Sequence, residues 1–196
     1  MGFLFRLPWD AWCHTATFDH AKSAKDLAKM GVDIYSSTGT LDEIGLSGHH
    51  RANVVCHAVN HSVGRDWWIA PFNLVHDSAE PTGFLISSKG DAVTFITDTA
   101  YCEYVLPPCN ILMIEANYSE TILAANVDAG RIEPARAKRV LQNHMSLERV
   151  LDFLAANDTS RLREIRLLHL SDGNSDAKEF RKTVQKATGI PVFVEG

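Results

Sequence analysis

The sequence predicts a layered α/β fold around a mixed β-sheet, and two features of its pattern lead to this prediction. Apolar, β-prone segments dominate residues 53–97, where residues 82–87 and 92–97 flank a Lys-Gly-Asp turn typical of a hairpin. Beyond residue 110, apolar strand patterns alternate with helical ones. Strands followed by β-α-β alternation are typical of helices packed on a sheet that contains parallel strands.

The individual elements are predicted from local chemistry in chain order. A helix over 21–30 ends at Gly31, a short strand follows at 32–35, and a brief helical turn covers 41–46. Strands are predicted at 67–72, 82–87, 92–97, 111–114, 165–168 and 192–194. Leu147, Val150, Leu151 and Leu154 recur at i, i+3, i+4 and i+7, which predicts a helix with one apolar face, and Phe180 and Val184 mark a last helix.

Length and charge limit the classes of function that fit. The 196 residues suit one domain covering 1–196. A net charge of −5, from 19 basic and 24 acidic residues, argues against a surface that binds long nucleic acid. No apolar run approaches the roughly 18–20 residues that span a bilayer, and the first nine residues are too short for a signal peptide. We therefore expect a cytoplasmic protein that does not enter membranes.

The four cysteines give no sign of a metal or redox motif. Cys13, Cys56, Cys102 and Cys109 form no C-x-x-C pair. In a chain without an export signal, we expect them to be buried free thiols.

Aspartate and histidine residues stand at the ends of several predicted elements. Asp98 directly follows an apolar strand, and His169 follows another. Taken alone, each has a structural interpretation, Asp98 as a turn or cap residue and His169 as a satisfied polar residue near the core. Asp19-His20 precedes the first helix, and His76 follows an apolar stretch. Imidazole and carboxylate together form the mixed ligand set that zinc, manganese and iron accept.

In this order and spacing, these residues resemble the metallo-β-lactamase superfamily of hydrolases. That family carries a His-x-His-x-Asp-His loop, a single His, an Asp after a strand and a late His. The segments FNLVHD (72–77), EPTGFLI (80–86) and FITDTA (95–100) carry the likeness. They are similar to the branch that includes YycJ/WalJ-type hydrolases, ribonuclease Z and phage cyclic-mononucleotide phosphodiesterases. The resemblance implies an αββα sandwich, here without the family's usual first strands, because only about 14 residues precede the loop.

The resemblance also implies a set of metal ligands. Asp19, His20, Asp98 and His169 correspond to one complete site, and His76 to the middle histidine of a second. The first two loop histidines are replaced by Thr15 and Thr17, and threonine is a poor zinc ligand. We therefore expect one firmly bound zinc or manganese ion and a weak or absent second one. His14 lies one residue out of register and is an alternative ligand.

Two further motifs imply phosphodiester chemistry. Glu115-Ala116-Asn117 and Asn143-His144-Met145-Ser146 match the Glu and His that act together in ribonuclease Z-like enzymes. By this resemblance His144 would protonate the leaving oxygen or bind the phosphate, and Glu115 would orient the His144 ring. Asp19 or Asp98 would position the attacking water. Asn143 and Ser146 would contact substrate. The structural alternative is that Ser146 caps the following helix and that His144 is an ordinary residue before the cap.

The expected activity is hydrolysis of a small phosphodiester, such as a cyclic nucleotide or short oligonucleotide, by a metal-activated water. The alternative is a catalytically impaired member that binds a nucleotide or partner without cleavage, since Thr15 and Thr17 weaken the two-metal site. A third reaction, thioester or lactam hydrolysis, would leave the Glu115/His144 pair unexplained.

The N-terminal apolar residues suggest a homodimer contact or docking on their own domain. The basic residues Arg131, Arg136, Lys138 and Arg139 suit a solvated helix face, with Arg139 near enough to His144 in sequence to meet phosphate.

Overall fold

Two β-sheets form the framework of the computed structural model, which describes residues 5–7, 10–12, 21 and 23–195. The strands are β1 Phe5–Leu7, β2 Asp10–Trp12, β3 Asp33–Ser36, β4 Ala52–Val54, β5 His61–Val63, β6 Trp67–Asn73, β7 Thr82–Ser88, β8 Asp91–Ile96, β9 Ile111–Glu115, β10 Glu164–Leu168 and β11 Val192–Val194. The helices are α1 Ala24–Lys29, α2 Thr38–Glu43, α3 Glu120–Asp128, α4 Pro134–Asn143, α5 Leu147–Ala156 and α6 Ala177–Thr188.

The strands pair in chain order within each sheet. The smaller sheet runs β1-β2-β3-β4, and the larger runs β11-β10-β9-β8-β7-β6-β5. Strands β5 to β8 pair antiparallel, whereas β8, β9, β10 and β11 pair parallel. The parallel half therefore brings the carboxyl ends of neighbouring strands to one edge, where open α/β sheets hold their ligands.

Alternating side chains on the larger sheet face two different cores. On β9, Leu112 and Ile114 pack into the core shared with α5 and α6, while Met113 packs into the other core with Phe84 and Phe95. That second core includes Tyr35 of β3, so it lies between the two sheets. A third apolar cluster joins α1 and α2 to β3. The layers are thus helix, sheet, sheet and helix, because each strand has two apolar faces to bury.

The structure confirms the predicted fold class and corrects one detail of it. The hairpin of β7 and β8, the parallel strands β9 to β11 and the amphipathic helix α5 all lie where the pattern predicts them. The expectation that the first strands are absent was wrong in part, since the three-residue strands β1 and β2 pair with each other and β2 pairs with β3. Helix α3 was not predicted, because its apolar residues lack a clear helical period. Among the described residues, no helix is long and apolar enough to cross a bilayer.

The described cysteines are all free, but they differ in burial. Cys109 is buried, Cys102 is half-buried and Cys56 is exposed. The prediction of buried thiols is therefore confirmed for Cys109 and wrong for Cys56, whereas Cys13 lies outside the described residues. Burial raises the pKa of the Cys102 and Cys109 thiols above the ordinary value.

Candidate active site

Three neighbouring parallel strands each deliver one polar side chain to the same edge of the larger sheet. Asp98 follows β8 by two residues, Glu115 is the last residue of β9, and His169 comes directly after β10. The register places Leu168 beside Glu115 and Ile96 beside Ile114, so these three strands end level with one another. The sheet therefore gathers residues that are far apart in sequence.

The backbone takes an uncommon conformation at two of these positions. Asp98 has a φ of 49° and His169 a φ of 57°, both in the left-handed region. Non-glycine residues enter this region infrequently, although Asp and His do so more readily than most. Such strain persists where the surrounding structure enforces it, and it gathers at functional sites.

Glu115 lies at the centre of the hydrogen-bond network. Its side chain is fully buried, and Oε1 accepts hydrogen bonds from Nδ1 of His144 at 2.7 Å and from Nδ1 of His169 at 2.9 Å. The backbone N–H of Thr99 donates to Oε2 at 2.9 Å. One carboxylate therefore orients two imidazole rings. Because Nδ1 of each ring is bonded to Glu115, Nε2 is the nitrogen available to the cleft.

The polar groups at this edge fit a divalent cation. Asp98, Glu115, His144 and His169 each offer a ligand atom, and these atoms lie within 4.8 Å of one another. Nδ1 of His169 lies 3.2 Å from Oδ1 of Asp98, whose side chain is 2% exposed. Metal-binding histidines usually donate their second nitrogen to a carboxylate, which is the arrangement of His169 on Glu115. The donor set is therefore of the nitrogen and oxygen type that zinc accepts.

His76 joins the same cluster from the loop after β6. Its ring lies edge-on to His144, with 5.9 Å between the ring centroids. Nδ1 of His76 lies 3.0 Å from the backbone nitrogen of Ser78, 3.1 Å from the Ser78 hydroxyl and 3.3 Å from Oδ1 of Asp77. Burial lowers the pKa of His76 below its ordinary value, and the nearby Asp98 carboxylate opposes that effect. Because Ser78 and Asp77 surround Nδ1, Nε2 is the nitrogen that His76 offers to the cleft.

The loop that carries His144 is fixed at both ends. Asn143 ends α4, and its side-chain amide donates to Oδ2 of Asp77 at 2.9 Å. On the other side, the backbone N–H of Asn117 donates to the carbonyl of Met145 at 2.9 Å. These bonds tie His144 to the loop after β6 and to the chain that leaves β9.

A cleft of about 760 Å³ opens over this network. Its volume is in the range of about 300–1,000 Å³ that is usual for small-molecule sites. Its lining includes His76, Asp98, His144 and His169. Three arginines, Arg131, Arg136 and Arg139, also line it. The cluster of imidazoles and carboxylates therefore faces a space that could hold a substrate.

The structure brings together most, but not all, of the residues predicted from the sequence. His76, Asp98, His144, His169 and Asn143 all line the cleft, and Glu115 lies beneath it. The predicted ligands Asp19 and His20, and Thr15 and Thr17 beside them, lie outside the described residues.

Ser146 has a different place from the one predicted. It is fully buried and does not line the cleft; its hydroxyl caps α5 by accepting from the backbone N–H of Arg149 at 3.2 Å. The hydroxyl also donates to Oε1 of Glu120 at 3.3 Å. The structure therefore supports the helix-cap interpretation of Ser146.

Sequence reasoning missed one residue that shapes the site. Asp77 accepts hydrogen bonds from Asn143 and, at 3.4 Å, from Arg139, and so connects the loop after β6 to α4. Its position directly after His76 was the available signal. A contact with a helix 62 residues away is not visible in a local pattern.

Comparison with solved structures identifies the fold. No family model matches the sequence, and no curated protein matches it significantly. The structure is similar to the metallo-β-lactamase fold protein YhfI from Bacillus subtilis, with a TM-score of 0.69 and 13% identity over 91% of this chain and 71% of that one. The chain has the metallo-β-lactamase fold.

Two other solved structures show how widely this fold is used. Zn²⁺-bound PqqB from Methylobacterium extorquens matches with a TM-score of 0.70 and 12% identity, over 94% of this chain and 69% of its own. The short form of human tRNase Z matches with a TM-score of 0.52 and 16% identity, over 82% and 72%. At these identities the likeness establishes the fold alone.

Proposed function

We propose that this protein is a metal-dependent hydrolase that cleaves a small phosphodiester. The main support for this proposal is that the buried carboxylate of Glu115 binds both His144 and His169 at the cleft. His169 also lies beside Asp98, with Nδ1 3.2 Å from Oδ1. We assign the two rings different roles, with His169 binding a cation and His144 moving a proton.

Asp98 and His169 are the described residues that would hold the cation, with Asp19 and His20 proposed as the remaining ligands. Zinc suits this set of two imidazoles and two carboxylates, and manganese also accepts it. A bound divalent cation would supply a Lewis acid and a water of lowered pKa at neutral pH. Glu115 fixes the orientation of the His169 ring, so that Nε2 faces the cleft.

His144 is proposed to deliver a proton to the leaving oxygen. Its side chain is 23% exposed at the cleft, while Nδ1 is held by the fully buried Glu115. With Nδ1 bonded to Glu115, Nε2 is the nitrogen that can donate a proton to the leaving oxygen. An alkoxide leaving group needs such a proton at neutral pH. The Glu115/His144 pair resembles the Glu and His that act together in ribonuclease Z-like enzymes, and this resemblance favours phosphodiester cleavage over lactam hydrolysis.

His76 is proposed to contact the substrate phosphate, or a weakly held second cation, through Nε2. Ser78 and Asp77 surround Nδ1 of this ring, which leaves Nε2 for the cleft. The replacement of two loop histidines by Thr15 and Thr17 is the reason that a second cation is proposed to be weak or absent. A member that binds without cleavage is the alternative.

The test measures metal content and turnover on the same samples. The full chain would be stripped with a chelator, reloaded with Zn²⁺ or Mn²⁺, and assayed with bis(4-nitrophenyl) phosphate. We expect about one ion per chain and metal-dependent turnover. Asp98→Asn and His169→Asn should lose both, whereas His144→Asn should keep the ion and lower kcat by about 10²–10⁴-fold.

His50→Asn provides the matched control, because His50 is an exposed histidine that does not line the cleft. This variant should keep both the ion and the turnover. Metal binding without turnover of any phosphodiester would favour the binding alternative. Absence of metal at millimolar Zn²⁺ and Mn²⁺ would overturn the proposal as a whole.

A further inference from the structure

Three arginines line the same cleft as the histidine cluster. Arg131 lies in the turn before α4, and Arg136 and Arg139 lie on α4 itself. Arg136, Arg139 and Asn143 recur at i, i+3 and i+7, so they share one face of the helix, and all three line the cleft. We call Arg131, Arg136 and Arg139 the arginine cluster.

The positive charge of this cluster is only partly balanced by the protein. Within the described part of the chain, Arg136 has no hydrogen bond or ion pair, and Arg131 has no carboxylate partner. Nε of Arg131 instead donates to the neutral Oδ1 of Asn126 at 2.6 Å. Arg139 contacts Asp77 at 3.4 Å, and both side chains are more than half exposed. The cluster therefore has guanidinium groups available for an anion.

The location of these charges is informative because the chain as a whole is acidic, with a net charge of −5. The cleft lining also contains Asp77, Asp98 and Asp172, so the positive charge is concentrated at the arginine cluster and does not extend over the whole cleft. Clustered cations in a cleft concentrate anionic ligands near them. Arginine suits phosphate in particular, because its planar fork makes paired hydrogen bonds to phosphate oxygens.

The cluster includes a position well separated along α4 from the proposed reaction centre. Arg136 precedes Asn143 by seven residues, which at about 1.5 Å per residue is a rise of about 10 Å along the helix axis. Asn143 adjoins His144, where the leaving oxygen is proposed to be protonated. The end of the cleft beside Arg131 and Arg136 therefore suits a second anionic group of the ligand.

We propose that the arginine cluster binds a terminal phosphate of the substrate, so that the enzyme prefers a short, end-phosphorylated oligonucleotide over a cyclic mononucleotide. This inference rests on the proposed phosphodiesterase function and specifies its substrate class. The cluster sets the affinity for the second phosphate, while the reacting phosphodiester lies at His144. A cyclic mononucleotide has one phosphate and leaves the cluster without a ligand.

The test compares thymidine dinucleotides that differ only in a terminal phosphate. KM would be measured for the unphosphorylated dinucleotide and for its 5′- and 3′-phosphorylated forms. We expect KM for one phosphorylated form to be about 10-fold lower than for the unphosphorylated one, as charge-assisted contacts of this kind would give. Arg136→Gln and Arg131→Gln should remove most of that difference.

Lys138→Gln is the matched control, since Lys138 is an exposed cation on α4 that does not line the cleft. It removes the same charge and should leave the preference unchanged. Equal KM values for all three dinucleotides, or an equal loss of preference in Lys138→Gln, would overturn the inference.

Binding measured by calorimetry separates this inference from the proposed function. If the phosphorylated dinucleotide binds about 10-fold tighter, and Arg136→Gln removes the difference without any form being cleaved, the cluster is supported and the phosphodiesterase proposal fails. If all forms are cleaved with the same KM, the phosphodiesterase proposal stands and the cluster inference fails.

Discussion

Replacing Glu115 with glutamine tests the geometry of the site most directly. Oε1 of this buried carboxylate accepts from both His144 and His169, and Oε2 accepts from the backbone N–H of Thr99. Glutamine has nearly the same shape but only one acceptor oxygen. If that oxygen keeps the two imidazoles, the amide NH₂ faces the Thr99 N–H, and two donors oppose each other.

The size of the effect follows from these three contacts. Hydrogen bonds to a charged group contribute about 1.5–3 kcal/mol, against about 0.5–1.5 kcal/mol for neutral pairs, so each imidazole bond weakens by about 1 kcal/mol. The unsatisfied Thr99 N–H lowers the free energy of unfolding by about 1–3 kcal/mol. Loss of a carboxylate behind a metal-binding histidine typically lowers metal affinity by about 10–100-fold. Because His144 loses its charged partner as well, we expect kcat to fall by about 100-fold.

The assay combines a metal titration, phosphodiester turnover and thermal unfolding of Glu115→Gln. Glu148→Gln is the control, because Glu148 also accepts two hydrogen bonds and lies outside the cleft. The donors are the hydroxyl of Ser119 and the backbone N–H of Glu120. It should keep turnover and metal affinity near those of the natural chain. Unchanged kcat and metal affinity in Glu115→Gln would refute the orienting role. Complete loss of the ion, as expected for Asp98→Asn, would instead make Glu115 a ligand.

Three further predictions concern stability and thiol chemistry. Gly83→Ala should lower the free energy of unfolding by about 1–3 kcal/mol in urea titrations, because its Cβ would meet the ring of Phe72 on the paired strand; an unchanged midpoint would contradict this packing. Burial lowers the pKa of His57 below 6.5, so the folded state binds fewer protons near pH 6 than the unfolded state, and stability should fall as the pH drops below about 6.5. His57→Gln should flatten that pH dependence, and an unaltered profile would argue against it. In the native protein Cys56 should react with a thiol reagent in the fast phase, whereas buried Cys109, with its raised pKa, should react only on unfolding; Cys56→Ser should then remove one equivalent from the fast phase.

Much of the fold could be predicted from local pattern because its elements carry strong signals. The two strands around the Lys89-Gly90-Asp91 turn are short runs of apolar, β-prone residues joined by turn chemistry, and α5 has its apolar residues on one face. The three-residue strands β1 and β2 carry no such signal. A strand of that length is defined by its partner and not by its own sequence, so the opening of the smaller sheet was not predicted.

The types of residue in the site were determined by the sequence, since a carboxylate or an imidazole directly after an apolar strand is visible in the letters. Which of them share a partner was decided only by the tertiary structure. Glu115 holds His144, 29 positions away, and His169, 54 positions away, because parallel pairing of β9 and β10 and the docking of the loop after α4 bring three distant segments to one sheet edge. The same holds for the arginine cluster. Its charged residues are visible in the sequence, but their place beside the histidines depends on how α4 packs against the cleft.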